Sequence, residues 1–180
     1  MLTPIQAAAM IAARLPRAMV EEQPLSACTG RTLQQSILAE RDAPPFDRVA
    51  MDGIALAAAA VTDGQRQFRV AGTQGAGALP QRLAGHGDCI EVMTGASLPE
   101  GCDAVVPVER ILIRDGIAVL ESGVEVSAWQ NVHRRGTDAR SGDRLLGPGA
   151  VLRGPEIAIA ASAGLTRLQV DRRPRIAVIS

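Results

Sequence analysis

Ile111 to Arg114 and Ile117 to Leu120 are two strand-length runs separated only by Asp115-Gly116. Asp-Gly is the strongest short-range hairpin signal, because both central residues of a type I′ turn need positive φ, which these two residues tolerate best. The spacing predicts two antiparallel strands, and the neighbouring sequence has the same grain. Phe68 to Ala71, Cys89 to Met93 and Ala104 to Val108 are further apolar runs of strand length. Between them lie a glycine-rich loop, Gly72 to Gly77, and a turn at Leu98-Pro99-Glu100-Gly101. Leu165 to Val170 reads as one more strand. The fold class expected is mainly β with a few helices (α+β).

Two segments carry helix grammar instead. Thr3 is placed as an N-cap, Pro4 at the first helical position and Gln6 as the partner of a capping box, with Pro16 ending the helix. Its stripe of Ile5, Ala8, Ala9, Ala12 and Leu15 is expected to pack closely, into this chain's own core rather than on a partner helix. The second helix starts at Pro155 and runs through Ile157, Ala160 and Ala161 to a C-cap at Gly164. From Val20 to Glu40 the pattern is of short extended pieces around a turn at Thr29-Gly30-Arg31. Ala43-Pro44-Pro45-Phe46 reads as a stiff, extended crossing segment, since each proline fixes its own φ and restricts its predecessor.

Charge narrows the function classes. Lys+Arg and Asp+Glu balance at 19 each, so there is no electrostatic case for nucleic acid or an anionic membrane. No apolar run approaches the roughly 20 residues that span a bilayer, and the start lacks a signal peptide, so a cytoplasmic location is expected. Every basic residue other than His86 and His133 is arginine, which excludes lysine chemistry and leaves planar guanidinium groups suited to phosphate and carboxylate. Cys28, Cys89 and Cys102 show no metal-ligand spacing and read as reduced, buried thiols. The glycine-rich loop lacks a phosphate-cradle motif.

Three segments concentrate the residue types that carry chemistry. Pro44 to Gly53 ends in Met51-Asp52-Gly53, where a carboxylate at a turn is free to accept hydrogen bonds or bind a hard cation. Met93 to Gly101 puts Thr94 and several backbone N–H groups, including that of Gly95, on a strand-ending loop suited to an oxyanion. Asn131 to Asp138 joins His133, Arg134 and Arg135 to Asp138. Ordinary turn chemistry and a solvated basic face would account for each segment taken singly.

The wording of these segments resembles the MoeA–gephyrin family, the molybdopterin molybdenumtransferases. The first block is Gly30-Arg31, then Pro44-Pro45-Phe46 leading into Ala50-Met51-Asp52-Gly53. The second is Met93-Thr94-Gly95-Ala96 with Leu98-Pro99-Glu100-Gly101, Asp103, Val105-Val106 and Glu109. Asn131 to Asp138 with Gly142-Asp143 is similar to the third. Ala161, Gly164 and Arg173-Pro174-Arg175 with the closing apolar run resemble the entry into the family's catalytic domain.

The resemblance implies an enzyme that takes adenylylated molybdopterin and molybdate, cleaves off AMP with Mg²⁺ present and releases molybdenum cofactor. It implies a front portion of complex, coiled and bifurcated β-sheets in two domains. Residues 1–46 and 139–174 would form a discontinuous domain and 47–138 an inserted one. Residues 175–180 would be the first strand of a further α/β domain, at whose threshold the chain looks cut, so that it would not turn over alone. A homodimer is expected, with the cleft shared between subunits, and other proteins of molybdenum cofactor biosynthesis as further partners. The alternative is a scaffold module that uses the same domains for dimerisation or partner clustering.

Carried over onto this sequence, Asp52, Thr94 and Asp138 are the catalytic positions, with Asp52 and Asp138 as Mg²⁺ ligands. Met51, Gly53, Gly95, Arg134 and Arg135 are the substrate-binding ones. Three positions depart from the family pattern. Val49 stands where serine is usual, Ile54 where an aromatic is common, and Thr137 where the family often has glutamate.

Overall fold

The computed structural model describes residues 2–14, 19–175 and 177–178. The chain divides into two compact units, Met1–Glu40 with Gly142–Ser180, and Arg41–Ser141. The contacts thus put residues 41–46 and 139–141 in the inserted unit, a few residues outside the boundaries drawn from sequence. In the described residues no helix is long and apolar enough to cross a membrane.

In the discontinuous unit, α1 (Pro4–Ala12) begins as expected. Gln6 N donates to Thr3 Oγ1 at 3.3 Å, and Thr3 N donates to Gln6 Oε1 at 3.0 Å. Its packing is not as expected. No residue of α1 is buried and Ile5 is 82% exposed, so the helix is held by its cap and not by the unit's core. Leu15 and Pro16 lie outside the described residues. The core forms where β1 (Val20–Pro24) pairs antiparallel with the distant β12 (Arg167–Asp171) and β2 (Ile37–Leu38) pairs with β11 (Arg144–Leu146). Leu33, Ile37, Leu152, Ala160, Leu168 and Val170 are buried together there, under α3 (Gly154–Ser162). Gly164, at φ 78°, ends α3 as a left-handed cap. The closing run falls partly outside the described residues; Arg175, Ala177 and Val178 are not in a strand.

The inserted unit is built on six strands: β4 (Gly53–Leu56), β5 (Gln67–Gln74), β6 (Asp88–Val92), β7 (Ala104–Pro107), β8 (Ile111–Arg114) and β9 (Ile117–Leu120). Their order is β7-β4-β6-β5-β9-β8. The outer strands β7 and β8 are joined by only the 3-10 turn Val108–Arg110, so the sheet must curl until its two edges approach. Alternation then assigns two faces. Ile54, Leu56, Phe68, Cys89, Val106 and Leu120 pack on one. Ala55, Ile90, Val92 and Val105 pack on the other, with Val49, Ala96 and Cys102. The hairpin turn has φ 49° at Asp115 and 76° at Gly116, as a type I′ turn requires.

Three local readings change. β5 runs on to Gln74, through the start of the glycine-rich loop, because it lies parallel to β6 with a register shift between Val70 and Gly72. α2 (Ala58–Thr62) follows β4, and its first N–H, from Ala58, is capped at 2.7 Å by Asp103 Oδ1, a cap 45 residues away that no local pattern announces. Pro44 to Phe46 bends, with a cis Ala43–Pro44 peptide, where an extended crossing was expected.

Candidate functional site

Segment 47–50, which includes β3 (Arg48–Val49), is the seam that brings the three blocks together. On one side Gly95 N donates to Val49 O at 2.9 Å and Val49 N donates to Ala96 O at 2.9 Å. On the other side β3 pairs with β10 (Val132–His133), and Ala50 N donates to Asn131 O at 3.0 Å. Blocks separated by more than 35 residues in sequence thereby become neighbours.

Asp52 and Thr94 meet because of strand register. Gly53, at the start of β4, lies opposite Val92, at the end of β6. Asp52 precedes the first and Thr94 follows the second by two residues. Asp52 Oδ1 accepts from Thr94 N at 2.6 Å and from Thr94 Oγ1 at 2.7 Å. The backbone bond first, then the hydroxyl bond, holds the Asp52 carboxyl below its ordinary value against a smaller opposing effect of desolvation. Both bonds land on Oδ1, and Oδ2 receives none among the described residues. Gly53 is a steric necessity: a Cβ there would stand 2.0 Å from Val106 O. Gly95 has a conformational reason, φ 88° in the turn after Thr94.

Behind the loop, the buried Gln74 donates to Ser97 O at 2.6 Å and accepts from Gln81 N at 2.6 Å, which pins the second block. Beside Asp52 opens a cavity of about 190 Å³ lined by Asp52, Gly53, Glu91, Met93, Val108 and Ile113, a carboxylate edge on an apolar wall. Met51 is 40% exposed at its margin in sequence.

The third block forms a separate polar chain. Arg48 Nη2 lies 3.1 Å from His133 Nδ1, and His133 Nε2 lies 2.9 Å from Asp138 Oδ1. An arginine only donates, so Nδ1 accepts and Nε2–H donates to Asp138. Arg135 Nε pairs with Asp42 at 2.6 Å, while its backbone N donates to Asp47 Oδ1 at 2.8 Å. Asp42 also accepts from Ser141 N at 2.9 Å; that bond first, then the Arg135 bond, lowers its carboxyl from the ordinary value. Arg134 stacks on Trp129, 4.5 Å from the ring centroid. Sequence reading passed over Trp129, although a lone tryptophan just ahead of the third block was a signal. Arg48 and Asp42 had no such signal, since only tertiary pairing gives them their partners.

The described residues contain no group of three or more His, Cys, Asp and Glu side chains placed to hold a metal. Mg²⁺ characteristically takes one or two carboxylates and completes its shell with water and substrate phosphate. Asp52 Oδ2 fits as one such ligand. Asp138 has one oxygen committed to His133 and one left.

The profile of the MoeA N-terminal region (domain I and II) matches residues 2–164. A molybdopterin molybdenumtransferase of Synechocystis sp. is 41% identical over 151 residues, which cover 84% of this chain and 39% of that protein. One from Staphylococcus aureus is 31% identical over 153 residues, 82% of this chain and 36% of that protein. Among solved structures, the molybdopterin biosynthesis moeA protein of Pyrococcus horikoshii superposes with a TM-score of 0.78 at 30% identity, covering 87% of this chain and 42% of that one. The chain spans less than half the length of these relatives.

Proposed function

We propose, from the premise that this chain belongs to the MoeA N-terminal-region family, that it is the front part of a molybdopterin molybdenumtransferase. In that enzyme molybdate is inserted into adenylylated molybdopterin and AMP leaves. The observation that carries the reading is the Asp52–Thr94 pair. One carboxylate oxygen is fixed by two donors and the other is left for a ligand, beside an apolar-walled cavity.

In this reading Thr94 aims Asp52, so that its ordering is complete before substrate arrives. Asp52, anionic at neutral pH, would hold a Mg²⁺ ion, which would supply positive charge to offset that of phosphate. Asp138, oriented by His133, supplies a second acid. Arg134 meets phosphate oxygens through its guanidinium edge. Arg135 acts by holding the third block against Asp42. Partners in this reading are a second copy of the protein and other proteins of the same pathway.

The test is made in the full-length protein. Asp52→Asn should fold with unchanged far-UV circular dichroism and fail to restore molybdoenzyme activity to a cell lacking its own molybdenum-insertion enzyme. Full complementation by the variant removes Asp52 from the chemistry and sinks the reading.

A further inference from the structure

We propose that Trp129 and Arg134 form an anion site for a phosphate ester, in which the indole holds the guanidinium ready for the phosphate oxygens. The site deepens the function proposed above and rests on it only for the choice of phosphate as ligand.

The first observation is conformational. Trp129 has φ 68°, a region that a bulky side chain rarely enters, and Asn131, of a residue type that tolerates it, follows at φ 54°. The loop is kept there by bonds to β7 and its approach. Trp129 N donates to Asp103 O at 2.5 Å, Val105 N donates to Gln130 O at 3.0 Å, and Asn131 Nδ2 donates to Val105 O at 2.9 Å. Strain of this kind in a core residue is repaid by burial. Trp129 is 39% exposed, so burial is an incomplete explanation.

The second observation is what the ring touches. The Arg134 guanidinium carbon lies 4.5 Å from the indole centroid, well inside cation–π range. A guanidinium that rests its flat face on an aromatic ring keeps its N–H edge free for an oxyanion. Arginine normally loses much rotamer freedom on binding; an arginine already ordered by stacking loses less.

The third observation is charge. Arg135 is paired with Asp42 at 2.6 Å, and His133 is committed to Arg48 and Asp138. Among the described residues the Arg134 side chain has no carboxylate partner. It is therefore a positive charge that is held in place and uncompensated. A phosphate ester offers several oxygens and the charge to match it.

Trp129 is the only tryptophan in the chain, so its fluorescence reports this site and nothing else. AMP, inorganic pyrophosphate and adenosine are titrated into the chain at ionic strength held constant with sodium chloride. AMP and pyrophosphate should each change the emission saturably, and adenosine should not. Arg134→Gln should abolish the change. Trp129→Gly supplies a residue that suits the left-handed backbone, so its melting temperature should hold or rise while its affinity for AMP, measured by calorimetry, falls at least tenfold. Stability and binding then move apart, which a purely structural tryptophan cannot do. The site is overturned if neither anion gives a saturable change, if adenosine matches AMP, if Arg134→Gln responds as the parent does, or if Trp129→Gly binds AMP as tightly. Should AMP bind here while Asp52→Asn stays active in the full-length protein, the proposed function falls and this site stands.

Discussion

Thr94 gives both of its hydrogen-bond donors, backbone N at 2.6 Å and Oγ1 at 2.7 Å, to a single oxygen of Asp52. Two donors on one oxygen fix the carboxylate plane and make the anion the favoured form. The pair is thus oriented and charged before any ligand arrives.

That arrangement predicts a shared titration. Thr94→Val removes the hydroxyl donor and keeps the backbone one, so the Asp52 carboxyl should rise part-way back toward its ordinary value. Carbon-13 titration of the Asp52 carboxyl reads this directly. An unmoved titration would mean that Thr94 does not set the charge of Asp52.

Acid stability should follow from Asp52 and Asp42 together. Both are depressed in the folded chain, Asp52 by Thr94 and Asp42 by Ser141 and Arg135. A depressed carboxyl contributes stability that is whole above its unfolded value, about 3.9. That contribution is lost as pH falls through the lower folded value. Thermal melts should therefore be flat in this respect near neutrality and decline below about pH 4. Asp42→Asn should shallow the decline; an identical acid limb in parent and variant would refute the assignment.

Gly53→Ala tests the close approach of β4 to β7. The added Cβ would sit 2.0 Å from Val106 O, so the strands must part or the sheet must distort. The expected cost is about 3 kcal/mol by chemical denaturation, the size of other core overpacking effects. Gly30→Ala makes a useful contrast, because no atom lies within 4 Å of its Cβ and only its φ of 75° resists substitution.

The cysteines should be inert in the native chain. All three are buried, and burial, the largest cause in each case, pushes the Cys89 and Cys102 thiols up to about 12 and raises Cys28. A colourless disulfide reagent that releases a coloured thiolate should label none of them at pH 8 until denaturant is added. Fast native labelling of any one would contradict its burial.

Local grammar was readable wherever a few consecutive residues decide the outcome. Thr3, Pro4 and Gln6 announced the α1 cap, Asp115-Gly116 announced the β8–β9 turn, and Gly164 announced the end of α3. The candidate site was readable as three blocks of residue types, because Asp-Gly, Thr-Gly and the basic stretch are each contiguous. The exposure of α1 was not readable, since a small-residue stripe looks the same whether or not something covers it.

What the linear chain settled, then, are turns and caps, which depend on neighbours within about four positions, and it offered the candidate residues for a site. Tertiary structure decided which of those residues meet. The register of β4 against β6 put Asp52 on Thr94, the pairing of β3 with β10 put Arg48 on His133, and the register of β4 against β7 placed Asp103 at the start of α2. Such contacts join positions 42, 85 and 45 residues apart. Each exists only once the buried faces of the sheet have chosen a register, which is a property of the packed whole and of no segment within it.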